Sequence, residues 1–189
     1  MAFSLSQWEK TAASTVLGAC RIPEALIMKK EKAAMKIGFG CDHAGVELKQ
    51  TLMDFLKEMG HECVDYGNYD PNDRADDYPE FGSKVGEAIM RREVEKGVLI
   101  CGTGVGISLA ANKMPGIRAC VCSEPYSARM SVQHNNANII SLGARVVGRE
   151  LAKEIVSAFF NSEFEGVRHA RRVQMITDIE DTYSIHPRD

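Results

Sequence analysis

From residue 35 onward, short apolar runs alternate with longer segments whose apolar positions recur every three or four residues. MKIGFG (35–40) reads as a strand ending in glycine, and HECVDYG (61–67) as a second. VLICG (98–102), IRACVCS (117–123) and ANIISLG (137–143) are three more of similar length. Between the first two, VELKQTLMDFLKEMG (46–60) has apolar residues at 48, 52, 55, 56 and 59 and closes on glycine, the stripe and stop of an amphipathic helix. FGSKVGEAIMRREVEK (81–96), GISLAANKM (106–114) and PYSARMSVQHNN (125–136) predict further helices. GRELAKEIVSAFF (148–160) and VRHARRVQMITDIEDTY (167–183) predict two at the C-terminal end. Strands separated by helices need crossover connections, which are right-handed and pair the strands in parallel. The expected fold class is therefore α/β: a three-layer α/β/α sandwich with a mainly parallel five-stranded sheet and a C-terminal helix. Such sheets carry their sites beyond the carboxyl ends of the strands. The loops of interest are thus 40–45, 67–78, 102–107, 123–126 and 143–148.

A chain of 189 residues accommodates one domain with an appendage. Residues 1–34 differ from the rest and read as an extension of unknown role, with the domain occupying 35–189. The acidic Glu9, Glu24 and Glu31 argue against a mitochondrial transit peptide, and no continuous apolar h-region marks a secretory signal. The formal charge of −3 gives no reason to expect nucleic acid or an anionic membrane as partner. The longest uncharged apolar stretch, 97–111, is broken by four glycines and reads as strand plus loop, not as a membrane span. Cysteines stand at 20, 41, 63, 101, 120 and 122, with no C-x-x-C. Cys120 and Cys122 share one face of a strand, which suggests packing more than ligation. Free thiols in a reducing, cytoplasmic setting are expected.

ICGTGVGISLA (100–110) is the stretch most suggestive of chemistry. Gly102, Gly104 and Gly106 alternate after Cys101, which lets several backbone amides converge on an anion near a helix start. The spacing is not the dinucleotide G-x-G-x-x-G, because Ile107 stands at its third position. Glu124, about 20 residues on, keeps a nucleotide reading open. GCDHAG (40–45) has the glycine spacing of a P-loop without the Lys-Ser/Thr that must follow. A thiol has an ordinary pKa of about 8.5, which a helix N-terminus lowers, and each unit is worth about 1.4 kcal/mol in favour of thiolate. Cys101 is either a small residue closing a strand or a base acting on a carbon acid, with amides steadying the oxyanion.

Asp42 and His43 follow the first strand at the same edge, as a helix cap and surface histidine or as reactive groups. His134 sits in QHNN at a helix end, where Asn135 or Asn136 suits a left-handed cap. The run DRADD (73–77) could hold a divalent cation, but consecutive carboxylates in a loop are usually solvated and no histidine joins them at ligand spacing. Arg168 and Arg172, four apart, share a helix face. They match the fork of a phosphate or carboxylate, or form a basic stripe paired with Glu163 or Glu165. Arg145, after the fifth strand, adds a third cation at the functional edge.

GCDHAG, DDYP, ICGTGVGIS-x-AANK, SEPYSA, QHNN, LGARVVG and RHARRV occur in this order from about residue 35 to 180. Together they resemble the type B ribose-5-phosphate isomerases of the sugar-phosphate isomerase family, which also includes galactose-6-phosphate isomerase subunits. The resemblance implies a Rossmann-like fold and a cytosolic aldose–ketose isomerase of the pentose phosphate pathway, without metal or cofactor. It further implies a homodimer or dimer of dimers whose subunits share active sites. By resemblance Cys101 is the base that moves a proton between C1 and C2 through an enediolate, and Thr103 assists transfer among the sugar oxygens. Members with serine at the position of Cys101 use a glutamate in the next loop. Here the cysteine is present and Ile107 marks where that loop enters the helix. The amides of Gly102, Gly104 and Gly106 match the anion hole, and His134 the group that opens the furanose ring, with Asp42 beside the same oxygens. Asn135 and Tyr78 match substrate contacts. His43, Arg145, Arg168 and Arg172 match the phosphate end, some of them reaching over from a partner chain. The expected reaction is ribose 5-phosphate to ribulose 5-phosphate. A six-carbon allose or galactose 6-phosphate, or a sugar-phosphate or nucleotide-binding module without turnover, are the alternatives.

Overall fold

The computed structural model describes residues 33–183. The extension proposed for 1–34, apart from its last two residues, and Cys20 with it, lie outside the described residues. Five strands form one sheet: β1 (Lys36–Cys41), β2 (Glu62–Asp65), β3 (Lys96–Cys101), β4 (Ala119–Val121) and β5 (Ile139–Gly143). Their spatial order is β2-β1-β3-β5-β4, and every pairing is parallel. The helices are α1 (Val46–Glu58), α2 (Tyr78–Met90), α3 (Val105–Ala111), α4 (Pro125–Asn135), α5 (Arg149–Phe160) and α6 (Arg168–Tyr183), with a 3₁₀ turn at His43–Gly45 before α1. A parallel sheet with helices on both faces is the three-layer α/β arrangement that the alternating pattern implies.

Strand periodicity sorts the core into two layers. Val98 and Ile100 of β3, with Ile140 and Leu142 of β5, pack with α1, α4 and α5. Leu99 and Cys101, with Ile139, face the other way, against α2 and α3. On β1 the two faces differ in size. Ile37, Phe39 and Cys41 fill the larger layer, while Gly38 and Gly40 face α2. A Cβ on Gly40 would stand 2.8 Å from the Phe81 carbonyl oxygen and 2.9 Å from Val85 Cγ2. Glycine there lets the α2 backbone approach the sheet closely.

Element ends differ from the expected ones for identifiable reasons. α2 starts at Tyr78, not 81, because Asp77 is extended and Pro79 fits a first helical turn. It ends at Met90, not at 96, although MRREVEK suits a helix. Arg92 takes a left-handed φ of 59°, and Glu95 N–H donates to the Lys36 carbonyl, which starts β3 beside β1. β4 is only three residues long, an edge strand paired to β5 alone.

The topology selects the site. Connections leave β1 in one direction for β2 and β3 in the other for β4, so the carboxyl ends of β1 and β3 flank a switch point. Cys41 pairs with Ile100 and Cys101 with Gly143, so the loops after β1, β3 and β5 emerge side by side. Phe159 is fully buried on α5, edge-on to Phe160 at 5.1 Å between ring centroids, in the layer that carries these strands. Phe159→Ala should lower unfolding free energy by ~3–5 kcal/mol in urea titration. A loss below ~0.5 kcal/mol, typical of surface changes, would contradict this packing.

Candidate active site

Cys101 ends β3 with 4% of its surface exposed, and its sulfur accepts a hydrogen bond from the Gly104 amide at 3.1 Å. The local backbone explains the contact. Gly104 has φ 79°, a left-handed conformation that turns its N–H back toward the strand end before α3 begins. A Cβ there would lie 2.8 Å from the Leu142 carbonyl carbon, so β5 also excludes a larger residue. Ser141 of β5 donates its hydroxyl to the Gly104 carbonyl at 2.6 Å, fixing the turn from the other side. Ala144 N–H donates to the Cys101 carbonyl at 2.9 Å and Arg145 N–H to that of Gly102 at 3.1 Å. These bonds lace the β5 loop to the β3 loop.

The direction of the hydrogen bond separates Cys101 from its neighbours. Cys41 and Cys63 donate S–H to the carbonyls of Asn68 and Met53, at 3.6 and 3.7 Å. Burial pushes the thiols of Cys41 and Cys122 up to about 12 and that of Cys63 up to about 11, and raises that of Cys120. All five described cysteines are free. Cys120 and Cys122 both lie in the larger core layer, as packing residues do. Cys101 differs from them in geometry: its sulfur is the acceptor of a backbone amide, at the strand end that faces the glycine loop.

The other expected residues are placed by contacts of their own. Thr103 is exposed, and its Oγ1 accepts from Val105 N–H at 3.3 Å. Tyr78, at the start of α2, lies against Gly106: a Cβ at that glycine would be 2.7 Å from the ring. Asp42 caps the 3₁₀ turn by accepting from Ala44 N–H at 3.0 Å, and burial raises its carboxyl above the ordinary range. The Arg145 guanidinium lies beside Gly102, and with His43 it lines a cavity of about 430 Å³ that Arg74 and Arg149 also border. Arg149 is paired with Glu47 at 2.9 Å. A larger groove of about 740 Å³ between α4 and α5, with Arg129, Gln133 and Lys153 on its walls, touches none of the expected site residues.

His134 and Asn135 end α4, and Asn136 takes the left-handed cap with φ 50°. His134 stacks on His169 of α6, ring centroids 4.2 Å apart and planes 4° from parallel. Glu165 Oε2 lies 4.0 Å from His134 Nε2 and 3.6 Å from His169 Nε2. Burial, and then the positive field of His134, hold the His169 ring below the ordinary histidine range. This trio is the grouping among the described residues whose ligand atoms sit close enough to share a cation. Arg168 Nε donates to His169 Nε2 at 3.1 Å, however, and puts positive charge where a metal would have to sit. Arg168 and Arg172 do not line the cavity of His43 and Arg145, and Glu165 lies beside the histidines instead of pairing with these arginines.

Sequence reasoning missed three residues. Asp76, taken with its neighbours as solvated, binds the His43 backbone and ring. Glu165 and His169 flank His134 through contacts that span more than thirty residues. A usable signal existed for Asp76 alone, since loop 67–78 lies on the functional edge.

Comparison with known proteins adds an independent finding. The family model described as Ribose/Galactose Isomerase matches residues 37–176. Ribose-5-phosphate isomerase B of Escherichia coli (strain K12) is 54% identical over 145 residues, 77% of this chain and 96% of that protein. D-erythrulose-4-phosphate isomerase of Pectobacterium atrosepticum is 43% identical over 142 residues, 75% and 93% of the two chains. The solved structure of ribose-5-phosphate isomerase B from Clostridium thermocellum superposes with a TM-score of 0.76 at 54% identity, covering 79% of this chain and 99% of that one.

Gly104→Ala should destabilise the fold by at least ~1–2 kcal/mol, the cost of left-handed backbone for an L-residue. It should also slow iodoacetamide labelling of Cys101, followed by peptide mass spectrometry. Unchanged stability and labelling would contradict the amide–sulfur contact.

Proposed function

The chain belongs to the ribose/galactose isomerase family, and from that membership we propose that it interconverts ribose 5-phosphate and ribulose 5-phosphate through a cis-enediolate. The observation that carries the chemistry is the Gly104 amide on Cys101 Sγ at 3.1 Å. His134 gives a proton to the ring oxygen and takes one from the C1 hydroxyl, opening the furanose. Its neighbour Glu165 offsets the charge that the ring gains, and Asp42 stands by the same oxygens. A histidine suits that shuttle because its ordinary range is near neutrality. Cys101 then removes the C2 proton as thiolate and returns it to C1. Electrons pass from the C2–H bond into the C1–C2 bond, and the aldehyde oxygen becomes the enediolate oxygen.

The Gly102 and Gly106 amides face that oxygen while the Gly104 amide serves the sulfur, a division of roles not visible in the glycine spacing. Thr103 carries the proton between O1 and O2. Tyr78 and Asn135 hold the sugar, and His43 and Arg145 take the phosphate, whose binding orients C1 and C2 beside the base.

Arg168 and Arg172 complete the phosphate end of a second copy. Met175, Ile176, Ile179 and Tyr183 are exposed on the same helix, an apolar face that a homodimer or dimer of dimers covers. Residues 35–189 form the isomerase domain and 1–34 an extension of unknown role. Five free thiols among the described residues fit a cytoplasmic enzyme of the pentose phosphate pathway.

Ribulose 5-phosphate formation tests this reading. Wild type should turn over ribose 5-phosphate equally with and without EDTA. Cys101→Ala should lose at least ~10²-fold in kcat, the usual worth of a positioned base, with KM largely unchanged. An alanine variant as active as wild type would overturn the role of Cys101. Turnover of six-carbon allose or galactose 6-phosphate in its place would move the assignment to those substrates. Arg168→Ala should raise KM with a smaller effect on kcat, and mixing it with Cys101→Ala should restore some activity if the two groups act across copies.

A further inference from the structure

One carboxylate holds His43 at two points. Asp76 Oδ2 accepts from the His43 backbone N–H at 2.5 Å, and Oδ1 meets the ring Nδ1 at 2.5 Å. The Asp76 side chain is 3% exposed and that of His43 18%. Asn68 Nδ2 donates to the same Oδ2 at 2.8 Å, and the buried Lys49 ammonium donates to the Asn68 carbonyl at 2.7 Å and to Asp65. The loop is thus tied to α1 and β2, and Asp76 is placed by a connected network.

The chemistry of the pair sets a constraint. Burial pushes the Asp76 carboxyl up, but hydrogen bonds from the His43 ring, Asn68 and the His43 amide bring it below the ordinary carboxylate range. An ionised carboxylate only accepts, so Nδ1 must carry the hydrogen. In a neutral ring Nε2 is then a lone pair, and among the described residues it has no hydrogen-bond partner. A phosphate dianion also offers only acceptors. Nε2 can donate to it only when the ring is an imidazolium.

We propose that Asp76 is a positioning residue that makes phosphate capture proton-linked: by holding Nδ1–H, it obliges His43 to take up one solvent proton on Nε2 as the anion binds. The inference rests on the reading that His43 lies at the phosphate end. The charged groups facing His43 agree with it. Asp42 on its own turn and Asp76 from the loop are the carboxylates beside the ring, and Glu47 of α1 is occupied by Arg149 of α5. Arg74 of the loop and Arg145 after β5 border the same cavity and oppose a further positive charge until an anion arrives. The proton leaves to solvent when the phosphate departs.

Sulfate is the probe, because it is a dianion that does not itself titrate near neutrality. Calorimetry at pH 8 in two buffers of different ionisation enthalpy should find uptake of close to one proton per sulfate bound by wild type. Its sulfate affinity should fall about tenfold per pH unit above the imidazole range, the slope for one linked proton. In Asp76→Asn the side-chain amide donates to Nδ1 and moves the hydrogen to Nε2 of a neutral ring, so uptake should vanish and the pH slope should flatten. His43→Asn should abolish uptake as well, and it serves if the Asp76 variant does not fold. Sulfate binding without proton uptake, uptake unchanged in either variant, or no sulfate binding by wild type would overturn the proposal. None of these measurements involves isomerisation, so absence of ribulose 5-phosphate formation would sink the assigned reaction separately.

Discussion

The parallel pairing of β1, β3 and β5 is the constraint on which the site depends. It brings Asp42, Cys101 and Ala144, each just at or past a strand end, to one edge although they are tens of residues apart in sequence. The pairing depends in turn on the glycine face of β1. With Gly38 and Gly40 beneath it, α2 lies close enough to the sheet for Tyr78 to reach Gly106. A parallel sheet covered on both faces buries these strands completely, so the loops at their ends are held by the core without needing a rigid structure of their own. The burial of Ile37, Phe39, Val98, Ile100, Ile140 and Leu142 therefore also determines active-site geometry.

Within that frame, function is written in the direction of hydrogen bonds. Cysteines of one chemistry behave oppositely: Cys41 and Cys63 give their hydrogen to carbonyls, and Cys101 receives one from an amide. The three histidines of the site likewise differ by partner. His43 is bound by a carboxylate through Nδ1, His134 faces Glu165, and His169 accepts from Arg168. Residue type alone does not separate these side chains, whereas the partner and the direction of the bond do.

What was legible in the sequence was the part that local pattern determines. The strands, the helices, the alternating glycines after Cys101 and the Asp42 cap follow from spacing over fewer than about ten residues. The sheet order also follows in class, though β5 lying inside β4 does not show in the pattern. The Asp76–His43 pair joins residues 33 apart, and the His134–His169 stack joins two helices. Neither leaves a periodic trace. The acidic run 73–77 hid Asp76 because its neighbours have ordinary loop roles: Asp73 supports Ala75 N–H and Asn68, and Asp77 precedes α2. The end of α2 was misjudged because propensity favours helix through MRREVEK, while pairing of β3 with β1 overrides it.

In the proposed reaction Cys101 abstracts a proton from carbon, with an enediolate stabilised beside it. Carrying ribose 5-phosphate to equilibrium in D₂O and reading C1 of ribulose 5-phosphate and C2 of ribose 5-phosphate by NMR tests it most directly. Deuterium should accumulate at both carbons over many turnovers, because a thiol exchanges its hydrogen with solvent between cycles. Complete interconversion with no deuterium at either carbon would mean that hydrogen moves as hydride, and would contradict it.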